Sequence, residues 1–201
     1  MKYFSWWLGT GSLTISYDPE SKTIWGLMLG MWNETFRDNF TKMLRSKAHL
    51  ASQPMLLPLI ICEILAKKHN KVVDTSTKRI TKLETAIGVN DYTEGKHSIG
   101  NAEVNYFGIN QTLNGELSRL ANYEKWVSSH ILLIRGILQD PTLSLNIAKE
   151  ENDPETQMLR ITVKEWGEHL LGWNTDLVAR IACQQKIVQG QLQTVSSLGP
   201  S

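Results

Sequence analysis

Histidine and carboxylate side chains are the residues of this 201-residue chain that could do chemistry by their type. The five histidines are scattered, and only Glu165 and His169 stand four residues apart, on one face of a predicted helix. Two ligands without a third do not make a zinc site. We interpret this pair as solvated surface residues and leave the metal assignment unknown.

A second group of carboxylates lies in a polar segment of the C-terminal half, at Glu150, Glu151, Asp153 and Glu155. Hard cations prefer carboxylate oxygens, so this group of carboxylates could bind Mg²⁺ weakly. Acidic clusters of this kind are more often simply solvated turns. We therefore predict no cofactor.

Motifs for phosphate binding and nucleophilic catalysis are incomplete. Gly9-Thr10-Gly11 begins a dinucleotide fingerprint that lacks its last glycine, and Gly95-Lys96 precedes His97 where a phosphate loop needs Ser or Thr. No Gly-x-Ser-x-Gly elbow is present, and neither Cys62 nor Cys183 has a catalytic signature. The sequence thus predicts no catalytic residues and no enzymatic activity.

Composition excludes further classes. Lys+Arg 21 against Asp+Glu 20 gives a formal charge of +1, whereas nucleic-acid binders show a clear basic excess. The most apolar run, residues 54–66, is shorter than the ~20 residues needed to cross a bilayer. Two distant cysteines suit reduced thiols. We expect a cytoplasmic protein, associated with a membrane only if the natural chain continues past residue 201.

The elements that would position these residues are mainly helical. Residues 12–17 and 23–29 are rich in β-formers and flank a turn at 18–22, which predicts a small N-terminal β-hairpin. Short helices are predicted over residues 35–51, from residue 54 onward, and over 76–87. Together these elements form a predicted head over residues 1–104, which ends in a polar, glycine-containing loop.

Residues 105–201 carry the strongest pattern, two near-heptad apolar seams that predict a long, stalk-like antiparallel helical hairpin. The first seam consists of Ile109, Leu113, Leu117, Leu120, Val127, Ile131, Ile134 and Leu138. The second consists of Leu159, Val163, Trp166, Leu170, Trp173, Leu177 and Ile181 and resumes at Val188, Leu192 and Val195. Because these last three lie beyond the reach of the shorter first helix, they are the predicted interaction surface. If exposed, they favour self-association; if covered, they favour a monomer.

Several stretches resemble the cytosolic region of fungal CorA-like magnesium transporter proteins. Residues 54–65 (PMLLPLIICEIL) resemble the Pro-Leu-Leu-Leu-Pro helix of that family, and residues 81–88 (TKLETAIG) resemble the helix that follows. Residues 180–198 (RIACQQKIVQGQLQTVSSL) are similar to the glutamine-rich stalk. The resemblance implies a soluble head, a stalk helix, two membrane helices with Gly-Met-Asn, and a pentamer. Neither the membrane helices nor Gly-Met-Asn occurs here.

Two functions are therefore open. The chain is expected to be a non-catalytic CorA-like cytosolic domain that lacks the pore, with self-association as its mode of assembly. The alternative is a helical protein–protein interaction module unrelated to transport, which binds a partner helix. Neither function involves nucleic acid or membrane insertion by this chain alone.

Overall fold

The structure is a computed structural model, and it describes residues 2–7, 11–18, 20–21, 23–30, 33–87, 105–139 and 154–198. The acidic residues 150–153, the phosphate-loop candidate at 95–97 and most of the Gly9-Thr10-Gly11 motif lie outside the described residues. Within them, the predicted mainly helical fold with an N-terminal β-hairpin is confirmed. The contacts divide the chain into two compact units, residues 1–68 with 126–176 and residues 69–125 with 177–201.

This division differs from the predicted boundary at residue 104, because each of three long helices contributes to both units. These helices are α2 (Leu56–Ile87), α3 (Tyr106–Gln139) and α4 (Pro154–Leu198). The sequence predicted separate short helices where the structure has the single helix α2, which is 32 residues long. Around its middle the polar residues His69 and Ser76 are buried, so apolar periodicity alone did not reveal the helix.

The first unit begins with a three-stranded antiparallel sheet. Strands β1 (Lys2–Trp7), β2 (Gly11–Asp18) and β3 (Thr23–Gly30) follow one another in space as in sequence. The predicted hairpin corresponds to β2 and β3, and β1 adds a strand that the sequence analysis did not predict. At its turn Asp18 accepts hydrogen bonds from the Ser21 hydroxyl, at 2.7 Å, and from the Glu20 amide, at 3.2 Å. These bonds hold the pKa of Asp18 below its ordinary value.

The sheet packs by one face on helices of the same unit. Leu13 and Ile15 of β2 are buried in one cluster with Leu59 and Ile60 of α2. At Gly26 of β3 the fit is so close that an added Cβ would lie 2.7 Å from a Leu57 methyl carbon. The two layers bury the apolar side of the hairpin, which a lone hairpin in water could not do.

A short helix connects the sheet to α2. Helix α1 (Glu34–Ser46) starts at Asn33, whose side-chain oxygen accepts the Phe36 amide at 2.9 Å and so caps the helix. Phe36 and Phe40 stack with ring centroids 6.3 Å apart and join the apolar cluster. A single 3₁₀ turn (Ala48–Leu50) follows.

Helices α3 and α4 pack together as the predicted hairpin. In the first unit, Ile134 and Ile137 of α3 share a core with Val163 and Leu170 of α4. In the second unit, the Gln185 amide of α4 donates to Glu124 of α3 at 2.9 Å. Helix α2 packs with both, so each unit contains segments of three helices.

Within the second unit, polar contacts give the helix directions. His69 of α2 lies by Tyr123 of α3, with ring centroids 6.1 Å apart, and Ser76 bonds to Glu116. Later residues of α2 thus contact earlier residues of α3, so the two helices run antiparallel. By the same reasoning α2 and α4 run parallel, since Asp74 contacts Arg180 and Thr77 contacts Gln184.

Candidate functional site

The predicted interaction surface lies on the last turns of α4. Val188 and Val195 are buried in the structure, at 0% and 2% exposure, and Leu192 is half-buried. Because they belong to a unit that also contains segments of α2 and α3, the two valines are core residues here. Exposure of this seam would have favoured self-association, but Val188 and Val195 are not exposed.

The buried positions of helix α4 are spaced alternately four and three residues apart. Its buried residues follow one another at this spacing along 33 of its 45 positions, which is the heptad pattern of a packed helix. They are Val163, Gly167, Leu170, Asn174, Leu177, Ile181, Gln184, Val188, Gln191 and Val195. Three of these positions are amide residues and one is glycine, so the helix buries an amide in three of its five heptads.

A carboxylate in the core of the second unit has the densest set of contacts. Glu116 of α3 is 3% exposed and accepts hydrogen bonds from Ser76 Oγ at 2.8 Å, Arg79 Nη1 at 3.2 Å and Arg119 Nη1 at 2.5 Å. Ser76 and Arg79 belong to α2, and Arg119 lies on α3 itself. With three donors in place, this carboxylate is a structural cross-link and has little capacity left for a substrate or metal.

A second polar group joins α2 to α4 in the same unit. The Arg180 guanidinium donates to Asn70 Oδ1 at 2.8 Å and to Asp74 Oδ1 at 2.5 Å. One turn further on, the Gln184 amide contacts the Thr77 hydroxyl and lies 3.5 Å from the Val73 carbonyl oxygen. A fork-shaped guanidinium that binds two acceptors fixes helix register as well as helix proximity.

In the first unit, a tryptophan links α2 to α4. Trp166 Nε1 donates to Glu63 Oε2 at 2.9 Å, while Lys67 Nζ binds the other oxygen of that carboxylate at 2.6 Å. On the ring face, Lys47 Nζ lies 4.0 Å from the ring centroid, within cation–π range. Trp166 was predicted as a seam residue, and it is half-buried against the apolar cluster.

The side chains whose types could do chemistry are either buried in an unreactive form or exposed on the surface. Burial raises the pKa of the Cys62 thiol to about 12, so it is not a thiolate near neutral pH. Burial also lowers the pKa of His130 to about 4, which keeps that imidazole neutral. Glu165 and His169 are exposed on α4. Across the residues that the structure describes, no group of three His, Cys, Asp or Glu side chains could hold a metal ion.

An apolar cavity of about 440 Å³ lies in the first unit between the sheet and the helices. None of the described residues that line it has an ionisable side chain, so these residues could hold an apolar group but could not perform acid–base chemistry. Its lining residues come from β2, β3, α1, α2 and the segment between the helices: Leu13, Ile24, Gly26, Met28, Phe40, Leu44, Ala51, Leu56 and Leu57.

Sequence reasoning missed the buried polar residues of the second unit. Glu116 stands three positions after Leu113 and four before Leu120, which is heptad spacing, but apolar patterning passes over a carboxylate. No local pattern could have found it, because its partners Ser76 and Arg79 lie 40 and 37 positions away in the sequence.

Comparisons with protein-family models, with curated proteins and with solved structures find no match for this chain. None of the described helices has both the length and the apolar character needed to cross a membrane.

Proposed function

We propose that this chain is a non-catalytic, cytoplasmic helical domain of the CorA-like type, which works by assembly and not by a chemical reaction. One observation carries the proposal. Helix α4 is 45 residues long and is packed at heptad spacing along 33 of its positions, as a stalk helix must be. Residues 180–198, which resemble the family's stalk, lie inside this helix.

The chemistry of the described side chains supports an assembly role. The buried carboxylate of Glu116 is saturated by hydrogen-bond donors, and the thiol of Cys62 is protonated and buried. Helix surface also remains for contacts with other copies. Met158 and Ile161 of α4 are 71% and 50% exposed and stand three positions apart, on one face of the helix.

The experiment is light scattering on the whole chain over a range of protein concentrations, in MgCl₂ and in EDTA. The expected result is a mass that is a multiple of the 22.8 kDa monomer and that changes with MgCl₂. A Met158→Glu, Ile161→Glu double variant should weaken this assembly, because it places charges on the helix–helix contact. Leu132→Glu is the matched control, since Leu132 is 67% exposed on α3.

An unchanged 22.8 kDa monomer in both MgCl₂ and EDTA would contradict the CorA-like proposal. If the assembled mass is the same in MgCl₂ and in EDTA, the expected dependence of assembly on Mg²⁺ is contradicted and the alternative function is favoured. Circular dichroism of both variants should match that of the original chain, so that lost assembly is not confused with lost helix.

The alternative, a helical module that binds a partner helix, is favoured by a specific feature of α4. Gln191 is 4% exposed, yet neither its amide nitrogen nor its amide oxygen has a hydrogen-bond partner within the described part of the chain. Burying an amide without partners is unfavourable by about 1–3 kcal/mol. A partner helix that displaced one of the segments covering Gln191, and that offered a polar side chain at the matching position, would relieve that cost. If so, Gln191→Leu should stabilise the isolated chain and weaken capture of the partner.

A further inference from the structure

One of the two edge strands of the sheet, β3, lacks the residues that usually protect an edge. Strand β3 is eight residues long, pairs with β2 on one side, and has no strand on its other side among the described residues. Its sequence, TIWGLMLG, contains neither a charged residue nor a proline. Natural edge strands generally carry such residues, because an open row of backbone donors and acceptors invites another strand. An uncharged edge of this length is typical of a strand that is covered.

The outward face of β3 is apolar as well. Trp25, Leu27 and Leu29 alternate along the strand, so they share one face, and they are 56%, 58% and 57% exposed. Single exposed hydrophobic residues are ordinary, but a continuous row of three on one edge strand marks a contact surface. The neighbouring positions on β2 are Ser16, Thr14 and Ser12, opposite Trp25, Leu27 and Leu29 respectively. Hydroxyl residues of β2 thus border the apolar row of β3 on this face.

The inward face of the same strand is also apolar. Ile24, Gly26 and Met28 line the cavity of about 440 Å³ described above. A strand that pairs with β3 must therefore place apolar residues on both of its faces, one row beside Trp25, Leu27 and Leu29 and the other beside the cavity wall. It must also be free of charge along its length, because each charge would be buried between apolar neighbours.

The strand β3 itself meets every one of these requirements. It has no charge, and its two apolar rows have the spacing that a pairing strand needs. The outward row is symmetric about Leu27, with Trp25 two positions before it and Leu29 two positions after it. An antiparallel pair centred on Leu27 therefore sets apolar side chains against apolar side chains along the whole outward row.

We propose that two copies of this chain associate through β3, paired antiparallel so that Leu27 lies opposite the partner's Leu27. In this register Trp25 lies opposite the partner's Leu29, and the partner's Met28 stands beside Gly26 at the inward face. A shift by one residue would set the outward row of one copy against the inward row of the other. A shift by two residues keeps the faces, but only the register centred on Leu27 pairs Trp25, Leu27 and Leu29 entirely with one another. This contact is separate from the helix-mediated assembly proposed above and does not depend on it.

The test is disulfide trapping in a Cys183→Ser background, which removes the exposed cysteine while Cys62 stays buried. Opposed residues of an antiparallel pair have Cβ atoms about 4.5–5.5 Å apart, close enough for a disulfide after a small adjustment. Leu27→Cys should therefore give a covalent dimer on mild oxidation. Trp25→Cys should crosslink when mixed with Leu29→Cys and only poorly with itself, because Trp25 does not face its own copy in this register.

Leu132→Cys is the control for random collision, since Leu132 is more exposed than Leu27 but lies on α3. Crosslinking of Leu132→Cys at the same rate as Leu27→Cys would overturn the proposal. So would a monomer at every concentration in sedimentation, whether or not an added extended apolar peptide binds β3. Equal crosslinking of Trp25→Cys alone and in the mixture would overturn the register.

A charge at the centre of the pair gives a second, non-covalent test. Leu27→Lys places two ammonium groups opposite each other, and it should raise the dimer dissociation constant by about tenfold or more. A dimer that is indifferent to Leu27→Lys contradicts the proposal. The circular dichroism spectrum checks that this variant folds, and because Leu27 is 58% exposed in the single chain, we expect the fold to be retained. If Leu27→Lys does not fold, the cysteine variants decide.

Discussion

Replacing Glu116 by alanine tests whether the polar contacts of the second unit stabilise the fold or merely occupy space. The three donors to this carboxylate are unequal. The Arg79 and Arg119 side chains are 52% and 42% exposed, so water replaces the carboxylate and each loss is worth less than about 1 kcal/mol. Ser76 is 2% exposed, and its hydroxyl would lose a buried acceptor at a cost of about 1–2 kcal/mol.

With a small cavity added, we expect Glu116→Ala to lower the free energy of unfolding by about 2–3 kcal/mol. Glu116→Leu should be less destabilising than Glu116→Ala, because it fills the space and leaves two exposed guanidinium groups that water can solvate. A double-mutant cycle isolates the contact. Ser76→Ala should cost about 1 kcal/mol in the original chain and close to nothing in the Glu116→Leu background.

The assay is urea unfolding followed by circular dichroism at 222 nm and by tryptophan fluorescence. All seven tryptophans lie in the first unit, so fluorescence reports on that unit while circular dichroism reports on helices in both. The matched control is Glu168→Ala, whose carboxylate is 57% exposed in a 3.8 Å pair with Lys164. The reasoning is refuted if Glu116→Ala and Glu168→Ala have the same unfolding free energy, or if Ser76→Ala costs the same in both backgrounds.

Three further predictions rest on single side chains. Glu63→Leu removes the acceptor of the Trp166 indole, and it should cost about 1 kcal/mol and shift the tryptophan emission, whereas Glu63→Gln, which retains an acceptor, should cost less; equal costs would contradict the role of this bond. Cys183 should react with a thiol reagent at pH 8 at once and Cys62 only on unfolding, because burial raises the pKa of Cys62 to about 12; two equally fast thiols would contradict its burial. The pKa of His130 falls from 6.5 to about 4 on folding, so between these values the unfolded chain binds more protons and stability should drop as the pH falls, by up to about 3 kcal/mol; His130→Leu should remove that slope, and an unaltered slope would contradict the assignment to His130.

The apolar pattern of α3 shows how far the sequence could predict the packing. Leu113, Leu120, Val127 and Ile134 belong to the predicted seam and are all buried. The positions between them were predicted one residue too late, at Leu117, Ile131 and Leu138, which the structure leaves half-buried. The residues actually buried there are Glu116, His130 and Ile137. At Glu116 and His130 the core position is polar, so a rule that counts apolar residues selects the apolar neighbour. Ile137 and Leu138 are both apolar, and the rule does not distinguish them.

Helix α4 repeats this lesson with different residue types. Trp166, Trp173 and Leu192 were predicted as core residues, and each lies beside a buried position that is not apolar, namely Gly167, Asn174 and Gln191. Large side chains next to such positions cover the seam from its edge, which is why they are half-buried. The existence and length of the helix could be predicted from the sequence. Which of its residues are buried could not, because polar residues and glycine are buried there only when two other helices pack against α4.

The cavity and the polar cross-links could not be predicted in the same way, because each arises from residues far apart in sequence. Glu116 binds Ser76 across 40 positions, and Trp166 binds Glu63 across 103. Local patterns describe how one element is buried and do not describe its neighbours. The β-hairpin and helices α3 and α4 were predictable because their signals are local. The packing of α2 against α3 and α4 was not predictable.

The buried polar contacts also explain why three helices with such irregular cores adopt one arrangement. An apolar heptad alone tolerates a shift by one repeat or a reversal of direction, because leucine and valine are interchangeable partners. Glu116 accepts from Ser76 and Arg79 only when α2 and α3 are antiparallel in this register, and Arg180 reaches Asn70 and Asp74 only when α4 runs parallel to α2. Any slipped packing would leave the buried Glu116 carboxylate and the buried Ser76 hydroxyl without partners, at a cost of about 1–3 kcal/mol for each. The polar residues that obscure the seam in the sequence thus specify which helices meet and where.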